Sequence, residues 1–295
     1  MPKQLLLYAA FILAATTAFS QDSLLPLNQE RLSAVSAGQG TIPGAAPNDP
    51  IYHFKPKVEI PAFVVVAGWT FYGFAQIGKK ESTPQATVLK LQKSDIPWYD
   101  RWAARPYNKS VDKLSYLPFD AARPYPLIFC AFDKKMRKDY LKLTFLYAEA
   151  MAITGALYTS SVHYFSRLRP LVYSSESPID VRTSSNSRNS FFAGHVALVA
   201  TSTFFMASAY ADYHPDSQFK WVMYGIAGAA TLTTGYLRSR AGEHNPSDIL
   251  VGTIVGTASG LLVPRLHQTK LIKNQRLSIL PFAGRGQGLA LFYKL

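Results

Sequence analysis

The sequence predicts an all-α protein, a bundle of about six core helices in or at a membrane. Apolar residues make up 48% of the 295 residues and charged residues 17%, which is more apolar than a typical soluble domain. The apolar residues form segments of helical length, several of them rich in glycine, alanine and threonine, which let helices approach closely. Polar residues stand at the ends of these segments, where a bundle can bring them together.

Residues 1–20 have the pattern of a secretory signal, with Lys3, the apolar run 5–14, and small residues at Ala18 and Ser20. An uncleaved anchor helix is the alternative, although the apolar run is short for a span. Removal of this segment would take Lys3 away and change the net charge to 13 − 1 = +12. We therefore expect an exported protein on the periplasmic side of a bacterial cell envelope.

The rest of the chain divides into an arm, a helical domain and a tail. Residues 21–57 are polar and contain several glycines and prolines, which predicts a loosely packed arm. The helical domain is predicted over residues 58–268. In the tail, residues 269–295, partial alternation of apolar residues between glycines predicts a short β-hairpin, with a frayed end as the alternative.

Apolar segments predict the helices of the domain. The basic, aromatic region 78–117 is predicted to form amphipathic helices, either at a membrane interface or over the bundle. Region 117–132 is a weak apolar segment interrupted by prolines, and region 171–189 is a polar loop rich in serine. The clearest helix candidates are residues 60–77, 143–165, 191–213, 221–237 and 249–262.

The apolar segments favour a membrane location, but two observations leave another open. The apolar runs lie near the lower length limit for crossing a bilayer, and the mean hydropathy of +0.02 is low for a protein with six spans, so a soluble or peripheral periplasmic bundle is the alternative. The net charge of +13 indicates nucleic acid, a membrane surface or an anionic substrate as partner. Because no nucleic-acid motif accompanies it, we expect anionic lipid and a phosphate-bearing ligand. The single cysteine, Cys130, excludes an internal disulfide and is expected to be buried.

Three motifs at the ends of apolar segments carry the candidate site. They are SRLRP at 166–170, SFFAGH at 190–195 and GYLRSRAGEHNPSDILVG at 235–252. In the third, His244 follows Arg238 by six residues and precedes Asp248 by four. Two histidines, several arginines and one carboxylate are the groups needed to hold and transfer a phosphoryl group.

The three motifs resemble those of the type 2 phosphatidic acid phosphatase (PAP2) superfamily, which also holds bacterial class A acid phosphatases and vanadium haloperoxidases. The superfamily pattern is K-x6-RP, then PSGH, then SR-x5-H-x3-D. The resemblance covers about residues 140–265. The matching residues are Arg169, Pro170, Gly194, His195, Arg238, His244 and Asp248.

The resemblance implies catalytic roles for three residues. His244 is the candidate nucleophile, because a neutral imidazole can attack phosphorus and form a phosphohistidine. Asp248 is expected to accept a hydrogen bond from the other nitrogen of His244 and so fix its tautomer. Asp248 also follows Asn245 and a proline at a helix start, so capping is an alternative and compatible role. His195 is the candidate general acid, with a packed or capping histidine as the alternative.

Cations and a glycine complete the implied phosphate site. Arg169 and Arg238 are expected to clamp the phosphate oxygens, and Gly194 would let backbone N–H groups at a helix start approach the phosphate. Arg167 and Arg240 are further candidates of lower rank, with a solvated loop or contacts to lipid headgroups as the alternative.

The chain departs from the superfamily pattern at the lysine and at the serines. The lysine position is Val162, the PS of PSGH is Phe192-Ala193, and the serine before Arg238 is Leu237. Arg167 or His163 is a candidate to replace the lysine. Glu149, in mid-helix, is expected to face the bundle interior, either in a structural bond or in contact with a site arginine.

These features predict a metal-independent phosphatase of phosphate monoesters or pyrophosphates, acting through a phosphohistidine on lipid substrates. Phosphatidic acid, phosphatidylglycerol phosphate, undecaprenyl pyrophosphate and lipid A phosphates stay open as substrates. No cofactor is expected, because no metal-ligand cluster stands out apart from His244 and Asp248. Two alternatives stay open: a haloperoxidase that binds vanadate, and a degenerate member that binds phospholipid without turnover.

Overall fold

The computed structural model describes residues 50–269 and the backbone of residues 277–283 and 287–293. The predicted signal segment, residues 1–20, and residues 21–49 of the predicted arm lie outside the described residues. The described elements are α1 (Pro56–Gly78), α2 (Gln85–Val88), α3 (Trp98–Arg101), α4 (Lys109–Ala122), α5 (Tyr125–Phe132), α6 (Tyr140–Tyr164), α7 (Ile179–Thr183), α8 (Gly194–Tyr213), α9 (Phe219–Arg240), α10 (Pro246–Leu266), β1 (Leu277–Ala283) and β2 (Gln287–Tyr293).

The structure confirms the helical fold and each of the clearest helix candidates, as α1, α6, α8, α9 and α10. Helix α8 begins three residues later than predicted, because Ala193 has an extended backbone with φ −70° and ψ 91°. Residues 190–193 therefore form a loop in front of the helix. The predicted hairpin is also confirmed, since β1 and β2 pair antiparallel with Leu277 opposite Tyr293.

The prediction of amphipathic helices over residues 78–117 was largely wrong. The region contains the one-turn helices α2 and α3, each preceded by a proline, Pro84 or Pro97. A longer helix, α4, starts only at Lys109, where the Asn108 side chain accepts a hydrogen bond from the backbone N–H of Val111. Proline disfavours helical backbone in the residue before it, which explains the interruptions.

Two other regions form more helix than expected. The segment 117–132 belongs to two helices, α4 and α5, because the helix is interrupted at Arg123 and Pro124. The predicted polar loop 171–189 contains the short helix α7 and 3-10 turns at Pro170–Tyr173 and Ser185–Arg188. The buried Cys130 lies in α5, as expected.

Helix α8 is the centre of the bundle and packs against α4, α5, α6, α9 and α10. Its closest neighbour is α10, which places Gly252, Gly256 and Gly260 against it; residues four apart lie on one face of a helix. A Cβ atom at Gly252 would lie 2.6 Å from the Ala193 carbonyl oxygen, and one at Gly256 only 2.1 Å from that of Ala197. The glycines therefore let two helix backbones touch.

Two of the described helices, α1 and α10, are long and apolar enough to cross a membrane. Helix α1 exposes apolar side chains along its length, including Val64, Val65, Phe71 and Phe74. Such a surface is typical of a helix in contact with lipid, and it accords with the predicted membrane association.

The chain separates into two compact units, of which residues 65–266 form one. The described residues outside this range belong to the other. There Tyr52 pairs with Gln268 in a short antiparallel bridge, and the His267 ring lies 3.6 Å from the Glu59 carboxylate.

We expect Gly256→Ala to destabilise the protein by about 1–3 kcal/mol, because its methyl group would collide with the backbone of α8. Gly225, in α9, has no atom within 4 Å of an added Cβ, so Gly225→Ala is the matched control. The control should be neutral or gain up to about 1 kcal/mol from better helix propensity. Thermal unfolding in detergent measures both variants. Equal melting temperatures would contradict the close packing of α8 and α10.

Candidate active site

The three motifs meet at one end of the bundle. The first follows the last residue of α6, the second leads into α8, and the third joins the end of α9 to the start of α10. Two backbone hydrogen bonds connect the motifs directly: Ser190 N–H to Arg167 O at 3.1 Å and Ala193 N–H to Asp248 O at 3.0 Å. A third runs from the N–H of Leu171, the residue after the first motif, to Gly242 O in the third motif at 3.0 Å. This geometry agrees with the expectation that the helical bundle brings the three polar motifs together.

His244 is buried, and its ring is held by a backbone group. Its Nδ1 atom lies 2.8 Å from the Ser190 carbonyl oxygen. A carbonyl can only accept, so Nδ1 carries the proton and Nε2 keeps a lone pair. Burial and the guanidinium groups of Arg238 and Arg169 lower the pKa of His244 well below its ordinary value. The ring is therefore neutral, as a nucleophile requires.

The direct bond expected from His244 to Asp248 is not formed among the described residues. The Asp248 carboxylate accepts instead from Ser190 Oγ at 2.6 Å, from the backbone N–H of Asn245 at 2.9 Å, and from Arg167. Ser190 thus binds both residues, Asp248 through its hydroxyl and His244 through its carbonyl. Asp248 can orient His244 only through Ser190, while the bond from Asn245 fits the capping role that the sequence left open.

Arg167 is tied by carboxylates on two sides. Its guanidinium pairs with Asp248 and with Asp100. Asp100 is fully buried and also accepts from the Ser247 backbone N–H at 2.9 Å and from its hydroxyl at 2.6 Å. Arg167 therefore braces the start of α10 against α3. With its charge neutralised in this way, it is a poor replacement for the missing lysine.

The other lower-ranked candidates are not among the described contacts of the site residues. Arg240 and His163 are exposed, and the His163 ring contacts Tyr164. Glu149 is buried in α6, as expected. It stands 15 residues before the end of that helix, which corresponds to about 22 Å along the axis, and the described partners of Arg169 and Arg238 do not include it. These contacts and this distance along the helix favour the structural bond over a contact between Glu149 and a site arginine, and that contact stays a prediction.

Arg169 and Arg238, the predicted phosphate clamp, are buried and share one carboxylate. Arg238 donates to Glu243 Oε2 at 2.7 Å, and Arg169 pairs with the same oxygen. Glu243 precedes His244 directly, so this carboxylate lies where two guanidinium groups converge beside the candidate nucleophile. It occupies donors that a phosphate group would use.

Further bonds fix the two guanidinium groups. Arg238 donates to Asp112 at 2.6 Å and to Ser115 Oγ at 3.1 Å, both on α4, and Arg169 donates to Asn186 at 3.1 Å. The Nε–H groups of both arginines are buried and have no partner among the described residues, so they remain as donors for an anion. Burial and the neighbouring Arg238 lower the pKa of Arg169 to about 10, which leaves it protonated at neutral pH.

His195 lies at the second position of α8 and packs between two aromatic rings. The ring centroids of Tyr116 and Phe119 are 5.0 and 4.6 Å away. Burial and the nearby guanidinium groups of Arg238 and Arg169 lower the pKa of His195 to about 3, so the ring is neutral without a ligand. A phosphate dianion among these groups would raise this pKa, because an opposite charge favours the protonated form.

Gly194 has a steric reason to be glycine. An added Cβ atom would lie 2.6 Å from the ring of Tyr158, on α6. The missing side chain therefore lets the start of α8 pack against α6 and brings His195 to the mouth of the bundle.

Sequence reasoning missed Ser190, Glu243, Asp112 and Asp100. Ser190 is the first residue of the second motif and Glu243 directly precedes His244, so the positions of both residues in the motifs could have indicated them. Asp112 and Asp100 lie 126 and 147 residues from the site residues that they bind, Arg238 and Ser247, and no local pattern indicates them.

The comparison with protein-family sequence models agrees with the motifs. Residues 143–272, which include all three motifs, match the sequence model of the PAP2 superfamily. Among solved structures, similarity is found to the crystal structure of the first transmembrane PAP2 type phosphatidylglycerolphosphate phosphatase from Bacillus subtilis. The identity is 21%, the match covers 72% of this chain and 94% of that chain, and the TM-score is 0.36. No curated protein sequence matches the chain.

We expect Glu243→Ala to lower the melting temperature, because it leaves two buried guanidinium groups without their shared carboxylate, at a cost of about 3–5 kcal/mol. Inorganic phosphate should stabilise this variant more than the wild type, since the anion can occupy the space between Arg169 and Arg238. The exposed Glu176→Ala is the control. Thermal unfolding in phosphate and in chloride of equal ionic strength is the measurement. A phosphate effect no larger than in the wild type would contradict this assignment.

Proposed function

We propose that this protein, whose residues 143–272 match the sequence model of the PAP2 superfamily, is a phosphatase that transfers a phosphoryl group to His244 and then to water. The observation that carries the proposal is the placement of His244. Its Nδ1 is bonded to the Ser190 carbonyl, its Nε2 keeps a lone pair, and the two buried arginines converge beside it.

In the first step, Nε2 of His244 attacks phosphorus, and the bond from phosphorus to the leaving oxygen breaks. Arg169 and Arg238 stabilise the negative charge on the phosphoryl oxygens. His195, protonated when the dianion binds, gives its proton to the leaving oxygen. Nδ1–H continues to donate to Ser190, which holds the ring while it gains positive charge.

In the second step, water attacks the phosphohistidine, and His195 takes the proton from that water. The bond from phosphorus to Nε2 breaks, which releases inorganic phosphate and restores neutral His244. For this cycle the substrate phosphate must replace the Glu243 carboxylate at Arg169 and Arg238. Among the described residues, no group of three His, Cys, Asp or Glu side chains is arranged to hold a metal ion. The arginines supply the charge stabilisation in this scheme.

Surface chemistry supports a lipid substrate. Helix α1 exposes an apolar face, and the exposed rings of Trp98, Tyr99 and Trp102 lie on the segment that packs against the start of α10. Aromatic side chains of this kind are typical of a membrane interface. Together with the net charge of +13, they favour a phosphate monoester or pyrophosphate carried by a membrane lipid, on the periplasmic side of a bacterial envelope.

Two observations favour a second candidate, a member that binds phospholipid without turnover. Glu243 already pairs with both arginines. Ala193 lacks the hydroxyl of the superfamily pattern. Turnover by the purified protein decides between the two functions.

The first test measures release of inorganic phosphate from a panel of lipid phosphates, lipid pyrophosphates and soluble phosphate esters, with and without EDTA. We expect release from lipid substrates that survives EDTA, because arginines provide the positive charge. Loss of activity on chelation, with recovery on added Mg²⁺ or Zn²⁺, would contradict the mechanism. A protein that binds these lipids but releases no phosphate would support the second candidate.

His244→Ala should lower phosphate release by about 10³-fold or more, because it removes the nitrogen that accepts the phosphoryl group in this scheme. The acid-labile phosphoprotein formed on rapid quenching with a ³²P-labelled substrate should disappear as well. His163→Ala, which changes an exposed histidine at the end of α6, is the matched control and should keep both signals. Appreciable turnover by a folded His244→Ala protein would remove His244 from the mechanism.

A further inference from the structure

The superfamily pattern has a lysine near the end of helix α6, where the present chain has an uncharged residue. Val162 is fully buried near the end of α6. An ammonium group from another part of the chain nevertheless binds the backbone of this residue. Lys80 Nζ, two residues after α1, donates to the Val162 carbonyl oxygen at 2.5 Å and to Asn189 Oδ1 at 3.1 Å.

Lys80 lacks a compensating negative charge. Across residues 50–269, none of the ion pairs to a carboxylate includes Lys80, whereas Arg167, Arg169 and Arg238 all have such partners. Burial and the like charge of Arg188 lower the pKa of Lys80. A partly buried cation beside a second cation is a place where an anion is stabilised.

Hydrogen bonds connect Lys80 to Arg169 and to the loop that holds His244. Asn189, which accepts from Lys80, donates to Asn186 Oδ1 at 3.4 Å, and Arg169 donates to that same oxygen at 3.1 Å. The residue after Asn189 is Ser190, whose carbonyl holds His244. Lys80 therefore contacts the loop that positions one phosphate-binding arginine and the candidate nucleophile.

An ammonium group has three N–H donors, and the described contacts of Lys80 use two of them. The third is available for a phosphate oxygen. The two sequence-based candidates for this role are poorly placed, because Arg167 is neutralised by Asp100 and Asp248, and His163 is exposed.

We propose that Lys80 is the third phosphate-binding cation of this site, in place of the lysine absent at position 162, and that it binds an oxygen of the phosphoryl group held by Arg169. This inference rests on the proposed function, because it assumes that a phosphoryl group binds between Arg169 and His244.

The test compares four substitutions. Lys80→Ala should lower kcat/KM for phosphate release by about 10–100-fold, by loss of one charged phosphate contact. Lys80→Gln can still donate to the Val162 carbonyl and to Asn189, so it keeps a structural role but loses the charge; we expect it to be as defective as Lys80→Ala. Lys80→Arg should retain most of the activity. Lys79→Ala, at the exposed neighbouring position, is the control and should match the wild type.

Binding of orthovanadate, an analogue of the transferred phosphoryl group, gives a second measurement that needs no turnover. We expect isothermal titration to show about tenfold weaker binding for Lys80→Ala and Lys80→Gln than for Lys79→Ala, with similar melting temperatures for folded proteins. A wild type that binds vanadate without releasing phosphate would contradict the proposed turnover alone. Full activity and vanadate affinity in Lys80→Gln would overturn the role of Lys80 while leaving the phosphatase intact.

Discussion

The contact between helices α8 and α10 is the constraint on which the site depends. The glycines of α10 bring its backbone against the backbone of α8 from Ala193 onward. The starts of the two helices consequently lie side by side, and the Ala193 N–H binds the Asp248 carbonyl directly. Ser190, just before α8, then reaches both Asp248 and His244. Ser190, His244 and Asp248 therefore lie close together, although Ser190 is far from the other two in sequence, because the backbones of the two helices are in contact.

Charge compensation is the second feature of this volume. Arg167 is paired with Asp100 and Asp248, and Arg169 and Arg238 share Glu243. A buried guanidinium needs a carboxylate or an equivalent partner, since leaving water costs it several kcal/mol. These pairs hold the N–H donors in place. In the proposed function, a substrate phosphate competes with the Glu243 carboxylate for the same N–H groups, so the affinity for phosphate depends on how much more strongly the arginines bind phosphate than they bind Glu243.

Sequence predicts the parts of this protein that depend on local pattern. Apolar segments predict the long helices, and polar motifs at their ends predict where the site forms. The short helices before α4 were missed because prolines divide a region whose composition otherwise suits amphipathic helices. The bond between His244 and Asp248 was wrongly expected because motif spacing does not show that Arg167 and Ser190 take the Asp248 oxygens first. Lys80 gives no local signal at all, since its partners lie 82 and 109 residues away.

In the proposed chemistry, the substrate must bind before His195 can act as the general acid. Without a ligand both rings are neutral, because burial and the arginines lower the pKa of His244 well below its ordinary value and that of His195 to about 3. Neutral His244 is ready to attack, whereas neutral His195 has no proton to give. A phosphate monoester dianion brings the charge that favours protonation of His195, and a diester with a single negative charge brings less of it. The buried cations thus make the general acid depend on the charge of the substrate, which favours terminal phosphate groups over phosphodiesters.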